Sequence, residues 1–259
     1  MRPDVAEYLV SYRKIRGWLS PEDVYVFDFL LDSQGRGDLV EIGAYEGASA
    51  ILIGLHKRPD ETFTVCDLFG LSLGDTAHSE ESNVWYGDLT RDAFERNYLS
   101  VLPELPEIVQ RPSSEIVHHV GAGTCRFVHL DGSHLYDYVR GDLEAARTML
   151  APDGIVAVDD WRTEHTPGVM VAVMERVTAR ELHPIVLTRH KFYAVWDSEL
   201  AQVLRQRVVE WTSSEDLLQL DIVTVGLERW PRLAAIEVSV PAPPMHARVR
   251  GYVRRLVRR

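Results

Sequence analysis

The sequence predicts an α/β protein built on one open, mostly parallel sheet, and three observations carry that prediction. Strand-like and helix-like runs alternate from residue 38 onward. Two acidic clusters, Asp131-Gly-Ser-His134 and Asp159-Asp160, each directly follow a strand-like run, Cys125–Leu130 and Ile155–Val158, with one helix's worth of residues between them. The alternation then closes on Ile185–Thr188 and Phe192–Trp196, joined by Arg189-His-Lys191, which read as an antiparallel hairpin. In a right-handed βαβ unit both acidic clusters emerge at the carboxyl edge of the sheet, where open α/β folds bind ligands.

Each element has a local reason. Ser20-Pro21-Glu22-Asp23 is a helix start, with an N-cap serine, proline at the first helical position and acids facing the macrodipole. Val24, Phe27, Leu30 and Leu31 give that helix one apolar face, and Gly35 and Gly37 end it. Asp38–Ile42 is the first strand, closed by Gly43, and a small-residue helix runs from about Ala48 to His56. Thr62–Cys66 is the second strand, ending at Asp67. Residues 69–90 have no sustained period, and a loop of that length in a compact domain is usually functional or disordered.

A helix reads from about Arg91 to Val101, followed by a strand over Glu107–Gln110 and a short helix over Ser113–Val120. After strand 125–130, Leu135, Val139, Leu143, Ala146 and Leu150 recur at helical spacing. Ala151-Pro152-Asp153-Gly154 is the turn into strand 155–158, and Pro167–Val177 is helical. Leu220–Val225 and Ala235–Val240 suit two further strands, with prolines 241, 243 and 244 as a stiff linker to the tail. The segmentation expected is 1–37 helical, 38–198 ligand-binding domain, 199–245 extension and 246–259 basic tail.

Composition narrows the function classes. An apolar fraction of 46% over 259 residues supports a sizeable core. No run of about 18 apolar residues exists to span a membrane, and the charged N-terminus lacks the apolar core of a signal peptide. The two cysteines, Cys66 and Cys125, sit in apolar runs and read as buried hydrophobes of a reducing compartment, so a cytoplasmic location is expected. A net charge of −11 argues against nucleic acid as the main partner. Against that balance, residues 246–259 hold six arginines and no acid. Such a tail suits anionic lipid or an acidic partner, but the preferred reading is a helix packed on the protein's own acidic surface or a disordered end. The oligomeric state is not set by the sequence, and a homo-oligomer is compatible with it.

The chemistry-bearing residues lie at strand ends. Glu41-Ile-Gly43-Ala-Tyr45-Glu-Gly47 joins the first strand to its helix, where glycine lets backbone approach a ligand and free helix amides face an anion. It is not the G-x-G-x-x-G dinucleotide fingerprint, because tyrosine stands at 45 and alanine at 48. Asp67 is placed to accept from ribose hydroxyls, and as a polar strand-end residue it is expected to matter little for folding. Three carboxylates at one edge, Asp131, Asp159 and Asp160, are costly to ionise without a cation, and oxygen ligands suit Mg²⁺.

Together these pieces resemble class I S-adenosylmethionine-dependent methyltransferases, and specifically the metal-dependent sugar O-methyltransferases of the macrocin and mycinamicin type. The resemblance runs from roughly Leu39 to Trp196 and is most specific over residues 130–161. It implies a Rossmann-like seven-stranded sheet of order 3-2-1-4-5-7-6 with strand 7 antiparallel. It also implies that Glu41, Gly43 and Gly47 surround the cofactor's methionine moiety, with Ser49 at its carboxylate, Asp67 at its ribose and Ser113 or Ser114 near adenine. The chain reads Arg111-Pro112 where that family often has a glycine–acid pair. Asp131, Asp159 and Asp160 match the family's magnesium ligands, with Asp131 shared between the metal, the cofactor pocket and catalysis. His134 matches the general base of some members.

The resulting expectation is a Mg²⁺-dependent O-methyltransferase acting on a small hydroxylated molecule, a sugar or glycoside before a catechol, since a histidine base helps an unactivated alcohol most. Tyr45, Trp85, Tyr86, Trp161 and His165 are candidates for the acceptor pocket, whereas His118, His119 and His129 read as structural. The rival classes are a nicotinamide-dependent oxidoreductase, disfavoured by the glycine pattern, and a non-catalytic binding protein on the same scaffold.

Overall fold

The computed structural model describes residues 3–11, 14–72, 74, 88–212, 223–226 and 236–239. The elements in chain order are α1 (Pro3–Ser11), α2 (Pro21–Ser33), β1 (Asp38–Ile42), α3 (Ala48–Leu55), β2 (Phe63–Cys66), α4 (Arg91–Leu99), β3 (Glu107–Val109), a 3-10 helix (Ser113–His118), β4 (Cys125–Leu130), α5 (Tyr136–Met149), β5 (Leu150–Val158), α6 (Pro167–Thr178), β6 (His183–Leu187), β7 (Phe192–Val195), α7 (Ser198–Thr212), β8 (Val223–Gly226) and β9 (Ile236–Ser239). The strand order is β3-β2-β1-β4-β5-β7-β6-β9-β8. Its first seven strands are the expected seven-stranded arrangement, with β7 antiparallel to β5 and β6. The extension lengthens the sheet, β9 adding parallel to β6 and β8 antiparallel to β9.

Strand residues alternate between two cores because successive side chains point to opposite faces. Leu39, Phe127, Ile155, Ala157 and Tyr193 pack with α1, α2, α3 and α7 on one face. Val40, Val128, Val156 and Phe192 pack with α5 and α6 on the other. The helix starts follow their caps: Ser20 accepts from the amide of Asp23, and Thr90 accepts from that of Ala93.

Two sequence readings change. The turn 151–154 lies inside β5: Cys125 pairs with Leu150 and Phe127 with Ile155, so the four residues loop out of register between two paired stretches. On α2, Asp23, read only as an acid facing the macrodipole, is buried and takes partners from the sheet. Asp23 accepts from Thr188 and Tyr193 across the core, because α2 lies under the β6–β7 hairpin.

Both cysteines are buried free thiols, and burial pushes Cys66 up to about 12 and Cys125 up to about 11. No helix among the described residues is long and apolar enough to cross a membrane. Residues 75–87, with Trp85 and Tyr86, and the basic tail 246–259 lie outside the described residues.

Candidate active site

The carboxyl ends of β1, β2 and β4 open into a crevice of ≈ 810 Å³ lined by Gly43, Tyr45, Asp67, Ser113, Asp131 and Tyr138, among others. A smaller cavity of ≈ 430 Å³ shares Gly43, Tyr45 and Asp131 with it and is walled by Arg16, Trp18, Ser49 and Lys191. Gly43 makes the junction possible. Its φ is +81°, and an added Cβ would lie 2.0 Å from the carbonyl oxygen of Asp131. The turn that follows is held from across the sheet by Asp67, whose Oδ2 accepts from the amides of Ala44 (2.7 Å) and Tyr45 (3.0 Å). Its Oδ1 accepts from Phe69 at 2.7 Å.

Asp67 is therefore a bracket for the glycine turn as well as a cavity wall. A carboxylate oxygen has two lone pairs, which leaves Oδ1 capacity for one ribose hydroxyl. Burial raises its carboxyl, and the three amides oppose that rise. Three backbone donors depend on it, a bracing role that the expectation of little effect on folding did not foresee.

The other expected cofactor residues divide. Ser49 lines the smaller cavity, Ser113 the larger one, and Ser114 a neighbouring depression with Asp142. Gly47 lines neither the crevice nor the smaller cavity; it caps α3 at φ +98° and faces the ring of Phe94. Glu41 lies below the crevice and not on its wall. It is fully buried, and its Oε1 accepts from His129 Nδ1 at 2.8 Å while Oε2 has no hydrogen-bond partner. The reason is strand parity: Glu41 and His129 are register partners on adjacent strands and share the face toward Phe27. Burial pushes the Glu41 carboxyl up to about 8 and holds His129 well below the usual imidazole range.

The three carboxylates do gather at one edge, but they do not converge on a common point. Among the described residues the only grouping with ligand atoms mutually within 4.8 Å is His129, Asp131 and Asp159. Lys191 enters that grouping. Its Nζ donates to Asp159 Oδ2 and to His129 Nε2 (3.0 Å) and stands 3.9 Å from Asp131 Oδ2. Asp160 turns away at φ +53° to accept from Thr163 Oγ1 at 2.6 Å and to pair with His134 Nε2 at 3.1 Å. The three residues expected to bind Mg²⁺ thus stand apart, Asp131 and Asp159 facing an ammonium and Asp160 pairing with the histidine. As arranged, this donor set does not fit a magnesium ion.

Charges follow the geometry. Burial and the neighbouring Asp159 raise Asp131 well above the usual carboxylate range. Asp159 is held below it, the Lys191 ammonium outweighing the effect of burial. Burial would raise Asp160, but the hydrogen bonds from His134 and Thr163 prevail and hold it at about 2. His134 is largely buried, one residue beyond the crevice-lining Ser133.

Lys191 and the structural role of Asp23 were not among the sequence candidates. A signal for the lysine existed, since β7 runs antiparallel and begins where β5 ends: Val158 pairs with Phe192, placing the preceding residue at the carboxyl edge. Tyr45 does form an aromatic wall, tilted against Trp18 at 5.3 Å with the Arg16 guanidinium 5.6 Å from its ring. Trp161 packs instead on Phe192 and donates to Thr188.

A sheet of this order, with a glycine turn after β1 and an acid after β2 bounding the same crevice, defines the class I methyltransferase fold. Residues 40–161 match a family model described as a methyltransferase domain. No curated protein matches the chain by sequence. Among solved structures, the O-methyltransferase NovP is 21% identical, with 72% of this chain and 78% of that chain covered and a TM-score of 0.53. CalS11, a calicheamicin methyltransferase, is 16% identical over 76% and 95% of the two chains, with a TM-score of 0.50. The SAH-bound methyltransferase PaMTH1 of Podospora anserina is 12% identical over 76% and 89%, with a TM-score of 0.51. At these identities the likenesses speak for the fold. With the family model they give residues 40–161 a methyltransferase domain on the class I fold.

Proposed function

We propose that the protein transfers the methyl group of S-adenosylmethionine to a hydroxyl oxygen of a small molecule, a sugar or glycoside, with His134 as proton acceptor. The observation that carries this reading is the His134–Asp160 pair, next in sequence to the crevice-lining Ser133. Asp160, held at about 2, stays anionic throughout the working range and fixes the imidazole through Nε2. With Nε2–H donated to Asp160, the basic lone pair lies on Nδ1. The acceptor's O–H proton passes to that nitrogen as the oxygen lone pair forms the new C–O bond. The C–S bond breaks in line, and its electrons remain on sulfur as a neutral thioether.

Gly43, Ser49, Asp67, Ser113 and Asp131 hold the cofactor in this reading, and Tyr45 with Trp18 offers an aromatic face to a sugar ring. Residues 38–198 carry the chemistry, while Arg16 and Trp18 from the N-terminal segment wall the acceptor side. The magnesium dependence that the family resemblance implies is not part of the reading, because Lys191 lies against Asp159; no step is routed through a metal.

The test is formation of S-adenosylhomocysteine from S-adenosylmethionine over a panel of glycosides, free sugars and catechols. A glycoside substrate whose turnover collapses in His134→Ala supports the reading. Turnover confined to catechols would replace the acceptor class, and full turnover in the variant would remove the base.

A further inference from the structure

We propose that Lys191 is the site's own cation: its ammonium takes the position between Asp131 and Asp159 that a divalent metal would fill, so the enzyme works without one. The lysine is anchored for this purpose at both ends. Its backbone amide donates to Thr188 Oγ1 at 2.8 Å, and its carbonyl accepts from the Thr188 amide at 2.9 Å, closing the hairpin turn. Its side chain is 1% exposed and runs beneath the crevice past the ring of Phe27, 6.0 Å from Nζ.

The ammonium's three N–H donors have a defined distribution. One goes to Asp159 Oδ2 and one to the lone pair of His129 Nε2, whose Nδ1–H donates in turn to Glu41. The third side of Nζ faces the smaller cavity that Lys191 walls together with Asp131. A buried cation is retained only when paired and hydrogen-bonded, and this one is both. Mg²⁺ binds oxygen at 2.0–2.1 Å. An ion bridging the same two carboxylates would stand against a like charge already bonded to one of them.

Lys191 thus acts as a positioning residue through the carboxylates. It neutralises Asp159, whose other oxygen accepts from the Asp160 amide at 2.8 Å, and so fixes the segment that presents Asp160 to His134. The activity arm of this proposal rests on the methyl-transfer reading above; the binding arm does not.

Manganese(II) is the probe, titrated into the full-length protein and read by electron paramagnetic resonance. The wild-type chain should bind no stoichiometric Mn²⁺ below millimolar concentration, and Mg²⁺ should leave its Tm unchanged. Lys191→Ala should bind one Mn²⁺ per chain at least tenfold more tightly than wild type, and Lys191→Ala/Asp159→Asn should lose that binding. Turnover of the wild type should survive EDTA. One tight Mn²⁺ in the wild type that Asp131→Asn removes would overturn the proposal, as would EDTA inactivation reversed by Mg²⁺. A folded Lys191→Ala that gains no Mn²⁺ would overturn the equivalence of ammonium and metal. If Lys191→Ala does not fold, the wild-type titration decides alone. If no acceptor is ever methylated, the functional reading fails while the Mn²⁺ result still judges Lys191.

Discussion

Replacing Gly43 by alanine should damage stability and cofactor binding together, and by an amount the structure sets. The residue sits at φ +81°, where an L side chain costs about 1–2 kcal/mol. The new Cβ would also stand 2.0 Å from the Asp131 carbonyl oxygen and 2.6 Å from the Gly132 amide nitrogen. Both neighbours are backbone, so β1 and β4 must part or the turn must shift, an overpacking cost of about 1–3 kcal/mol or more. Gly123 supplies the control: its φ is +70°, yet an added Cβ meets nothing within 4 Å. Gly123→Ala should therefore show the backbone cost alone. At about 2–4 °C per kcal/mol for a chain near this size, calorimetry should place Gly43→Ala roughly 4–20 °C below wild type and Gly123→Ala roughly 2–8 °C below. Titration calorimetry should find S-adenosylmethionine affinity reduced about tenfold or more in Gly43→Ala and unchanged in Gly123→Ala. If the two variants melted within 2 °C of each other and bound cofactor equally, the close approach of β1 to Asp131 would not be the reason for glycine at position 43.

Asp67→Ala should weaken cofactor binding by about 1.5–3 kcal/mol and also lower Tm, because three amides lose their acceptor; an unchanged Tm would refute its bracing role. His134→Ala should reduce kcat about 10²–10⁴-fold with cofactor affinity nearly unchanged, and Asp160→Asn should reproduce part of that loss; normal kcat in either would place the base elsewhere. Glu41 gives a pH signature. Its folded carboxyl stands at about 8 against an ordinary 4.5, so the folded state holds the proton more tightly and stability falls as pH rises between those values. The loss is at most about 1.4 kcal/mol per pH unit. Glu41→Gln should flatten that slope in denaturation curves from pH 5 to 8; an unaltered slope would assign it to another group.

Much of this was legible from residue order because the signals were local. The Ser20-Pro21 start of α2 stands where expected, as does the helix carrying Val139, Leu143 and Ala146 on its buried face. Asp131 and Asp159 were found because each follows an apolar run that can only be a central strand. What the residue order concealed was parity and partner choice. In β1 and β4 every residue after Asp38 is buried on one face or the other, so no hydrophobic alternation marks which side Glu41 and His129 take. Asp160 was read as a metal ligand because chemistry groups like residues, whereas its left-handed backbone turns it to His134 and Thr163. Lys191 looked like a turn residue, and only the antiparallel entry of β7 carries it to the carboxyl edge.

The central claim, that the crevice at the ends of β1, β2 and β4 is an S-adenosylmethionine site, is tested most directly by titration calorimetry of the full-length protein with that cofactor. One equivalent should bind, with affinity weakened in Asp67→Ala and Gly43→Ala and retained in His134→Ala. Absence of binding to the wild-type chain, or binding of NAD⁺ in its place, would contradict the claim.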